Sequence, residues 1–429
     1  MAFGQALIGL CDGDNFFVSC ERVFRPELNG RPVVVLSSND GCVISRSNEA
    51  KRLGIPMCAP FFKIAPLVRR HGMTALSGNM EMYREMSDRM MAVIAQFSDQ
   101  VEQYSVDEAF FNLSIASLTD PAAHCLALRR TIARRIGLPV SIGAAPSKTL
   151  AKAASEMTKG KEPGVRLIRP EETACAVASM PVERVWGIGK RTARKMLSFG
   201  IRLVPQLTAR PNGWLKGHFS IREVQIADEL RGLKRFPLSS QEETPQSIQV
   251  TRTSAGPLRT EDELWDGLIR HILGGTARLR RHHLAAGRME LFIRTSYFSS
   301  QSRFASSRAS FSPPTDDDLA CLRAGRQILS RVFQPGWNYR ASGVRFSDLS
   351  PSQPRQLTFA DQLPGTRKRH RLMEAVDALN ADLGAGTVLP AALLSKNRSA
   401  AQHSMTSDSP LILPEQLRPV LFSRTDGDG

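Results

Sequence analysis

The sequence lacks the features that mark three common classes of protein. No run of about 18 apolar residues occurs in its 429 residues, which argues against a membrane-spanning helix. The N-terminus shows no positively charged stretch followed by an apolar one, as a secretory signal would. Neither a P-loop nor a G-x-G-x-x-G pattern is present, which excludes a nucleotide site built on such a glycine motif. We therefore expect a cytoplasmic protein without a membrane partner.

Cysteine is scarce and scattered. The seven cysteines show no C-x-x-C spacing and lie at positions 11, 20, 42, 58, 125, 175 and 321. This pattern argues against a zinc site and against a disulfide framework, so we expect reduced residues in the core.

Acidic residues are fewer than basic residues in this chain. The chain has 57 Lys and Arg residues against 41 Asp and Glu residues, a formal net charge of +16. An excess of this size indicates a polyanionic partner, and nucleic acid is favoured over a membrane surface. The length leaves room for about two to four domains with a sizeable core.

Two adjacent carboxylates, Asp107 and Glu108, lie between short apolar or β-branched runs. This pattern predicts a turn or a strand junction inside a core. Adjacent strand residues point to opposite faces, so a bend or a bound cation is needed to bring both carboxylates to one site. Burying two like charges without a partner is costly, which favours a divalent metal ion. The alternative is an exposed hairpin tip.

A third carboxylate, Asp12, follows the apolar run 7–11 near the N-terminus. A buried strand that ends in an acidic residue presents this carboxylate at the rim of a sheet. Three carboxylates on two strands suit Mg²⁺, which prefers oxygen ligands. Such a set is typical of two-metal phosphoryl transfer, with ions roughly 3.5–4 Å apart, one at the attacking hydroxyl and one at the leaving group.

The segments LCDGDNFFVSCE (10–21) and YSVDEAFFNL (104–113) resemble those of the Y-family translesion DNA polymerases, most closely the UmuC type. The resemblance extends from about residue 7 to about residue 388. It implies an α+β multidomain fold, a right-hand polymerase with palm, small fingers, helix–hairpin–helix thumb and βαββαβ little finger. The implied domains are a palm (1–10 and 78–169), fingers (11–77), a thumb (170–237), a little finger (247–348) and a C-terminal extension (349–429).

The resemblance also implies roles around the acidic residues. Two Mg²⁺ ions would be held by Asp12, Asp107, Glu108 and the carbonyl of Gly13. Phe17 matches the steric gate, a ring beneath the sugar of the incoming nucleotide that leaves no room for a 2′-hydroxyl. Phe16 beside it is either a nucleotide contact or a core residue.

Triphosphate ligands are implied at Asn48, Lys51 and Lys159. More distant family members have tyrosine and arginine at the first two positions, and a lysine cannot form the bidentate contact of an arginine. Lys159 ends a helix that Ser147 is expected to cap. Lys161 is the alternative, because a glycine between the two lysines leaves the register open.

The palm is expected to combine a sheet with helices on one side, because strands and helices alternate along 79–158.

After the palm, a Gly-x-Gly turn followed by basic residues resembles a helix–hairpin–helix, whose backbone N–H groups can bind a DNA phosphate. The residues that the resemblance assigns to the DNA backbone are Gly187, Gly189, Lys190 and Arg191.

Residues 247–348 contain no lysine and many arginines, and their pattern predicts β-α-β-β-α-β. We expect a loop at 296–310 between strand 289–295 and a helix that starts at Asp316. Strands in which arginine and apolar residues alternate would give one basic face, which suits the backbone of a duplex. The alternative is an α+β domain with no such role.

Composition shifts to Pro, Ser, Gln and Gly after Leu349, and residues 390–429 are expected to be disordered. One helix is predicted at 372–383. The family resemblance implies a sliding-clamp peptide that is here one residue short, formed by Gln356, Leu357 and Phe359.

These features predict error-prone, template-directed DNA synthesis across damaged bases, within the DNA damage (SOS) response. Primer–template DNA and dNTP are the expected ligands. The UmuC resemblance implies a UmuD′-type dimer, a RecA-type filament and the sliding clamp as partners, at the nucleoid. Two alternatives stay open: a non-catalytic DNA-binding module with a polymerase fold, and a nucleotidyl cyclase. The acidic triad argues against the first, and the duplex-binding features argue against the second.

Overall fold

A computed structural model describes residues 7–37, 40–114, 120–239, 244–299, 301–352, 366–383 and 387–388. The chain divides into two compact units, with the boundary between residues 242 and 243. This boundary lies in the polar segment between the predicted thumb and little finger. Each unit has its own hydrophobic core and is described by itself.

The first unit combines two sheets with helices. Its elements, in chain order, are β1 (Ile8–Gly13), α1 (Phe16–Phe24), β2 (Val33–Leu36), β3 (Val43–Arg46), α2 (Asn48–Arg52), α3 (Phe61–Arg70), β4 (Thr74–Ser77), α4 (Met80–Ile94), β5 (Val101–Gln103), β6 (Glu108–Asn112), α5 (Pro121–Ile136), β7 (Val140–Ala145), α6 (Lys148–Thr158), β8 (Val165–Leu167), α7 (Thr173–Ala176), α8 (Lys190–Ser198), α9 (Val204–Thr208), α10 (Asn212–His218) and α11 (Ile221–Leu230).

The palm sheet has the strand order β5-β6-β1-β7-β8. Its central strand β1 is buried along its whole length and pairs antiparallel with both β6 and β7. Such a strand must be apolar on both faces, which accounts for the apolar run that the sequence shows before Asp12. The strand then ends at the edge of the sheet where β6 begins.

Helices cover both faces of this sheet, so the expectation of helices on one side was wrong. Helices α1, α4 and α5 share a core with one face. Helix α6 packs on the other face, together with the thumb helices. The close packing of α6 depends on Gly143, because a Cβ at this position would lie 2.1 Å from the carbonyl oxygen of Ala151. The alternation of strands and helices along the chain does not specify the face of the sheet on which a helix packs. For α6 that face is determined by Gly143 and by the buried side chains of Leu150 and Ala154.

The fingers contain a second sheet with the order β3-β2-β4, in which β2 and β4 are parallel. Helices α2 and α3 pack against it in a small core of their own. The predicted boundary between palm and fingers at residues 10 and 11 was wrong, because it falls inside β1. Helix α1 also belongs to the palm core, through Val18 and Cys20.

The thumb helices α8 to α11 are joined to the palm by a buried carboxylate. Glu229 on α11 accepts hydrogen bonds from the backbone N–H groups of Thr149 (2.9 Å), Arg235 (2.8 Å) and Phe236 (2.9 Å). Ser147 caps α6 as predicted, accepting from the N–H of Leu150, and its hydroxyl donates to the Glu229 carbonyl. A negative charge at the first turn of α6 also suits the helix dipole.

The second unit has the predicted β-α-β-β-α-β order. Its elements are β9 (Ile248–Leu258), α12 (Glu261–Arg281), β10 (Leu284–Thr295), β11 (Phe304–Thr315), α13 (Asp318–Val332), β12 (Tyr339–Pro351) and α14 (Thr366–Asp382). The sheet order is β11-β10-β12-β9, and α12 and α13 pack on one face.

One strand of this sheet was not located by sequence reasoning. The predicted loop 296–310 contains the first half of β11, so that expectation was wrong. The strand does alternate, with Ala305, Ala309 and Phe311 half-buried and their neighbours exposed. Its many serines hide this period of two, because serine is also typical of loops.

Helix α14 in the C-terminal extension begins at Thr366, earlier than the predicted residue 372. It is anchored to α12 by Arg280, whose guanidinium donates to both carboxylate oxygens of Asp377 (2.6 and 2.9 Å). Arg280 also contacts Asp318 at 2.8 Å. Burial alone would lower the pKa of Arg280, but the two carboxylates outweigh this effect and raise it.

The cysteines of the described ranges carry free thiols, and more than half of them lie in the core. Cys11, Cys20, Cys125 and Cys321 are buried and free, as expected, whereas Cys58 and Cys175 are exposed. Among the helices of these ranges, none is both long and apolar enough to span a bilayer.

Candidate active site

The carboxylates predicted from sequence come together at the end of β1. Asp12 pairs directly with Glu108 across the β1–β6 ladder, which places the two side chains on the same face of the sheet. The N–H of Gly13 donates to the carbonyl of Asp107 at 2.8 Å, so the third acidic residue lies at the same edge. Asp107 precedes β6 in a bend, and its carboxylate accepts a hydrogen bond from the Ser105 hydroxyl at 2.5 Å.

An ammonium group lies between two of these carboxylates. Lys152 on α6 is 2.8 Å from Asp12 Oδ2 and also contacts Glu108 Oε2. A second lysine, Lys159 at the end of α6, is 3.0 Å from Asp12 Oδ2 and 2.9 Å from Glu156. Sequence analysis assigned no role to Lys152. The spacing between Lys152 and Lys159 could have indicated a shared role. Seven residues are close to two helical turns, which brings both lysines to one face of α6.

Burial and charge determine the protonation of this group. Burial raises the pKa of Glu108, although Lys152 opposes the effect. Burial alone would lower the pKa of Lys152, but the carboxylates of Asp12 and Glu108 outweigh it and raise this pKa. Burial alone would likewise lower the pKa of Lys159, but the carboxylates of Asp12 and Glu156 outweigh it and raise this pKa. Both lysines are therefore cations, and the carboxylates already surround positive charge.

The donor set suits a divalent cation. Within the residues that the structure describes, no cluster of three or more His, Cys, Asp or Glu side chains is arranged to hold a metal ion. Asp12 and Glu108 both contact the ammonium of Lys152. Two carboxylates that share one cation are close enough to share another, and their oxygens are the ligands that Mg²⁺ prefers.

Gly13 and the two phenylalanines form the next part of the rim. A Cβ at Gly13 would lie 2.8 Å from a ring carbon of Phe16, so only glycine fits there. Phe16 itself is 3% exposed and belongs to the palm core. Its predicted role as a nucleotide contact is therefore corrected to packing, because its ring is not accessible. Phe17 is half-buried at the start of α1.

The fingers residues lie near this rim. Asn48 accepts a hydrogen bond from the side chain of Asn15 at 3.1 Å, at the start of α1. Burial lowers the pKa of Lys51, and the charges of Arg46 and Lys159 lower it further. Three cations that repel one another form a site at which a polyanion would be stabilised. Arg46 was missed by sequence reasoning, because a lone arginine at a strand end carries no motif.

Lys161, the alternative to Lys159, is placed elsewhere. It lines a cleft of about 550 Å³ between α6 and the thumb, with Arg184 and Trp186 among the other walls. Lys159 instead contacts the Asp12 carboxylate. Lys161 therefore does not share the Asp12 contact, although Lys152 and Glu156 also line this cleft.

The thumb turn is built by its two glycines. Gly187 has a φ of 87°, in the left-handed region, and a Cβ there would lie 2.7 Å from Ile226. Gly189 is the N-cap of α8 and no side chain caps this helix, so the N–H groups of its first turn have no intrahelical partner and no side-chain cap. Lys190 and Arg191 follow and are exposed. The element before the turn is a 3-10 turn (Val182–Arg184) rather than an α-helix.

The predicted clamp peptide, which includes Gln356, Leu357 and Phe359, lies outside the described residues.

Family models match both units of the chain. The model of the impB/mucB/samB family matches residues 11–156, and the model of its C-terminal domain matches residues 245–359. The chain belongs to the impB/mucB/samB family. The family assignment made from the two acidic segments is therefore confirmed.

Relatives within and near this family cover most of the chain. Protein UmuC of Salmonella typhimurium is 33% identical over 389 residues, which is 89% of this chain and 92% of that protein. Protein ImpB of the same organism is 32% identical, with 87% and 90% covered. DNA polymerase IV of Halorhodospira halophila is 30% identical, with 81% and 97% covered.

Solved structures agree on the fold. A Y-family DNA polymerase chimera of Dbh and Dpo4 superposes with a TM-score of 0.65 at 19% identity, covering 80% of this chain and 98% of that chain. An insertion ternary complex of Dbh DNA polymerase gives a TM-score of 0.55 with the same coverage. The predicted right-hand polymerase fold is thereby confirmed.

Proposed function

We propose that the carboxylates at the end of β1 are the catalytic centre of a DNA polymerase that copies damaged templates. The protein is a DNA-directed DNA polymerase of the translesion type, since it belongs to a family of such enzymes and shares their fold. The observation that carries the proposal of the site is the contact of Asp12 and Glu108 with one ammonium at the end of β1, with Asp107 held beside them through its carbonyl.

Asp12, Asp107, Glu108 and the carbonyl of Gly13 would hold two Mg²⁺ ions. When bound, these ions supply charge neutralisation for the primer hydroxyl, the reacting phosphate and the leaving pyrophosphate. The family's dependence on a divalent metal supports this proposal, and so does the cation that these carboxylates already surround. Phosphoryl transfer needs positioning and charge stabilisation more than an acid or base of special pKa.

Cations of the fingers and palm would orient the triphosphate. Lys51 and Arg46 project from the fingers, and Lys159 from the end of α6. Their mutual repulsion would be relieved by a ligand with three or four negative charges. Asn48, tied to Asn15, would contribute a polar contact at most. Phe17 would select the sugar, because a ring beneath C2′ excludes a hydroxyl group there.

The DNA backbone would be held by two surfaces, one in each unit. In the first unit these are the N–H groups after Gly187 and Gly189, with Lys190 and Arg191 beside them. In the second unit the sheet face opposite the helices carries arginines on three adjacent strands. These are Arg288, Arg294, Arg308 and Arg345. Such contacts give affinity without sequence preference, which suits an enzyme that must accept any template.

The partners of the UmuC type extend this proposal. Similarity to a protein named UmuC supports a UmuD′-type dimer as a partner. A RecA-type filament at the nucleoid would be a further partner, as the family resemblance implies. A weak sliding-clamp contact through Gln356, Leu357 and Phe359 would act once the enzyme is already on DNA.

Primer extension tests the catalytic proposal. A labelled primer on a template with an abasic site should be extended with Mg²⁺ and not with a chelator. The Asp107→Ala protein should bind the same DNA and extend nothing. Extension by this variant at the normal rate would refute the site. DNA binding without extension by the wild-type protein, with its partners present, would favour a non-catalytic module.

A further inference from the structure

Tyr83 on α4 contacts two residues of α1 that lie one helical turn apart. Its ring stacks on Phe17, with centroids 4.6 Å apart and an angle of 25° between the planes. Its hydroxyl donates to Glu21 Oε1 at 2.6 Å. Residues at i and i+4 lie on the same face of a helix, so a single side chain can reach both.

Both partners of this hydrogen bond are deeply buried. Tyr83 is 1% exposed and Glu21 is 0% exposed. A buried hydroxyl that donates to a buried carboxylate cannot exchange this bond for one with water, so breaking it is costly. The bond therefore fixes both the height and the tilt of the Tyr83 ring relative to α1.

The Phe17 ring is confined by what surrounds it. One of its faces rests on Tyr83, and Phe16 approaches it edge-on at 5.8 Å. Phe16 is itself locked in the core beside Gly13. A ring with a rigid floor and a rigid side cannot recede when a larger group presses on its accessible side.

We propose that Tyr83 and Glu21 are positioning residues for sugar selection, with Tyr83 as the floor beneath Phe17 and Glu21 as the anchor of that floor. This proposal rests on the proposed role of Phe17 as the steric gate. A gate excludes a 2′-hydroxyl only if it is stiff, because a ring that moves by the radius of one oxygen atom would remove the clash. The rejection of ribonucleotides then depends on two residues that do not touch the nucleotide.

The alternative is that Tyr83 merely fills the palm core. A role in core packing and a role in positioning the gate predict different effects of a substitution at Tyr83. Loss of packing lowers stability, and it affects ribonucleotides and deoxyribonucleotides alike. Loss of the floor changes the ratio of the two, because only the ribonucleotide presses on the ring. The readout is therefore the ratio of kcat/KM for a dNTP to that for the matching rNTP.

The experiment measures single-nucleotide incorporation on an undamaged template with the full-length protein. Four variants probe the floor and the anchor: Tyr83→Phe, Tyr83→Leu, Glu21→Gln and Glu21→Leu. Met90→Ala on the same helix is the matched packing control, since Met90 is as deeply buried as Tyr83 and has no aromatic ring to stack on Phe17. Phe17→Ala reports on the gate itself, and thermal unfolding is followed for every variant.

Tyr83→Leu should lower the discrimination ratio by about tenfold or more, mainly by reducing the KM for the rNTP, with dNTP kinetics little changed. Tyr83→Phe keeps the ring but loses the anchor and should lower the ratio severalfold. Glu21→Leu should act like Tyr83→Phe. Glu21→Gln keeps an acceptor for the hydroxyl and should retain the ratio.

The outcomes separate the two levels of the proposal. If Phe17→Ala leaves the ratio unchanged, the gate assignment fails and the positioning proposal falls with it. If Phe17→Ala lowers the ratio while Tyr83→Phe and Tyr83→Leu do not, only the positioning proposal is refuted. It is also refuted if Met90→Ala lowers the ratio as much as Tyr83→Leu, because general loosening of the palm would then suffice.

Discussion

Lys152 Nζ lies 2.8 Å from Asp12 Oδ2 and at the same time contacts Glu108, so that one ammonium on α6 lies between two carboxylates at the end of β1. Like charges on paired strands would otherwise repel each other. The lysine therefore offsets this repulsion, and its ammonium would compete with a divalent cation for the same two carboxylates.

Replacing Lys152 with methionine should separate these two effects. The variant should bind Mn²⁺ or Mg²⁺ more tightly in the absence of DNA, because no ammonium competes for the two carboxylates. Without metal it should lose about 1–3 kcal/mol of unfolding free energy, since two largely buried carboxylates are left facing each other. Titration calorimetry and denaturation with and without metal measure the two quantities. Lys161→Met is the control, because among the described residues Lys161 has no ion pair with Asp12 or Glu108, and equal metal affinity in both variants would contradict the expectation.

Asp107→Ala and Glu108→Ala should abolish nucleotide addition, with losses of at least about a hundredfold in rate. DNA affinity should stay nearly unchanged, because the thumb and the arginine-rich sheet hold the duplex. Primer extension and fluorescence anisotropy with labelled DNA measure the two properties on the same preparations. A large loss of DNA affinity in these variants would show that the carboxylates act through folding instead.

Phe17→Ala should admit ribonucleotides, because removal of the ring leaves space for the 2′-hydroxyl. The measurement is incorporation of a ribonucleotide and of its deoxy counterpart by variant and wild-type protein. Met90→Ala is a suitable control, since Met90 is a fully buried core residue and its replacement should affect stability rather than sugar preference. An unchanged preference in Phe17→Ala would place the gate elsewhere.

The second unit should lose stability in mild acid through His271. Burial lowers the pKa of this residue to about 4, and the charges of Arg252 and Arg270 act in the same direction. Its pKa in the unfolded chain is about 6.5, so between pH of about 6.5 and 4 the unfolded state binds more protons. The unfolding free energy therefore falls as pH drops through this window, by at most about 1.4 kcal/mol per pH unit. Above the window this residue has no effect on the pH dependence.

His271→Leu should flatten that pH dependence. Denaturant titrations of the full-length protein at pH values across the window provide the slope. His282→Gln is the control, because His282 is exposed at the end of the same helix. If His271→Leu and wild-type protein lose stability in parallel, some other group accounts for the acid sensitivity.

Replacing Leu357 and Phe359 together with alanine should weaken clamp binding and clamp-stimulated synthesis. The wild-type contact should itself be weak, because the missing second leucine costs about 1.5–3 kcal/mol, or roughly ten- to a hundredfold in affinity. Titration of clamp against each protein measures the change, with Thr358→Ala as the control. Identical binding by the double variant and the wild-type protein would exclude this peptide as the clamp site.

Sequence reasoning located the carboxylates but not the cation between them. Asp12, Asp107 and Glu108 could be found from local sequence alone, because each lies next to a short apolar run that predicts a strand. Lys152 acquires its role only when α6 packs on the sheet, and the sequence was expected to place helices on a single face. Gly143 is the residue that makes this packing possible, but a glycine in a strand can equally mark a bulge or a tight bend.

The same limit applies to the second unit. The order of helices and strands followed from hydrophobic periodicity, which is strong in α12 and β10. Strand β11 was assigned to a loop, because an edge strand of small polar residues has little apolar contrast between its faces. Segment β11 forms a strand because it pairs with β10, and its own composition does not predict this.

A final consequence follows from Glu229. This one carboxylate receives the first turn of α6 and the two residues at which the chain leaves the thumb. A hinge requires backbone that can rotate freely, and a shared buried charge forbids this at both places at once. We therefore expect the thumb and α6 to move together as one rigid body. A template that displaces the thumb would then displace Lys152 and Lys159 as well and disturb their contacts with Asp12 and Glu108, so that a poor fit at a lesion would slow the enzyme.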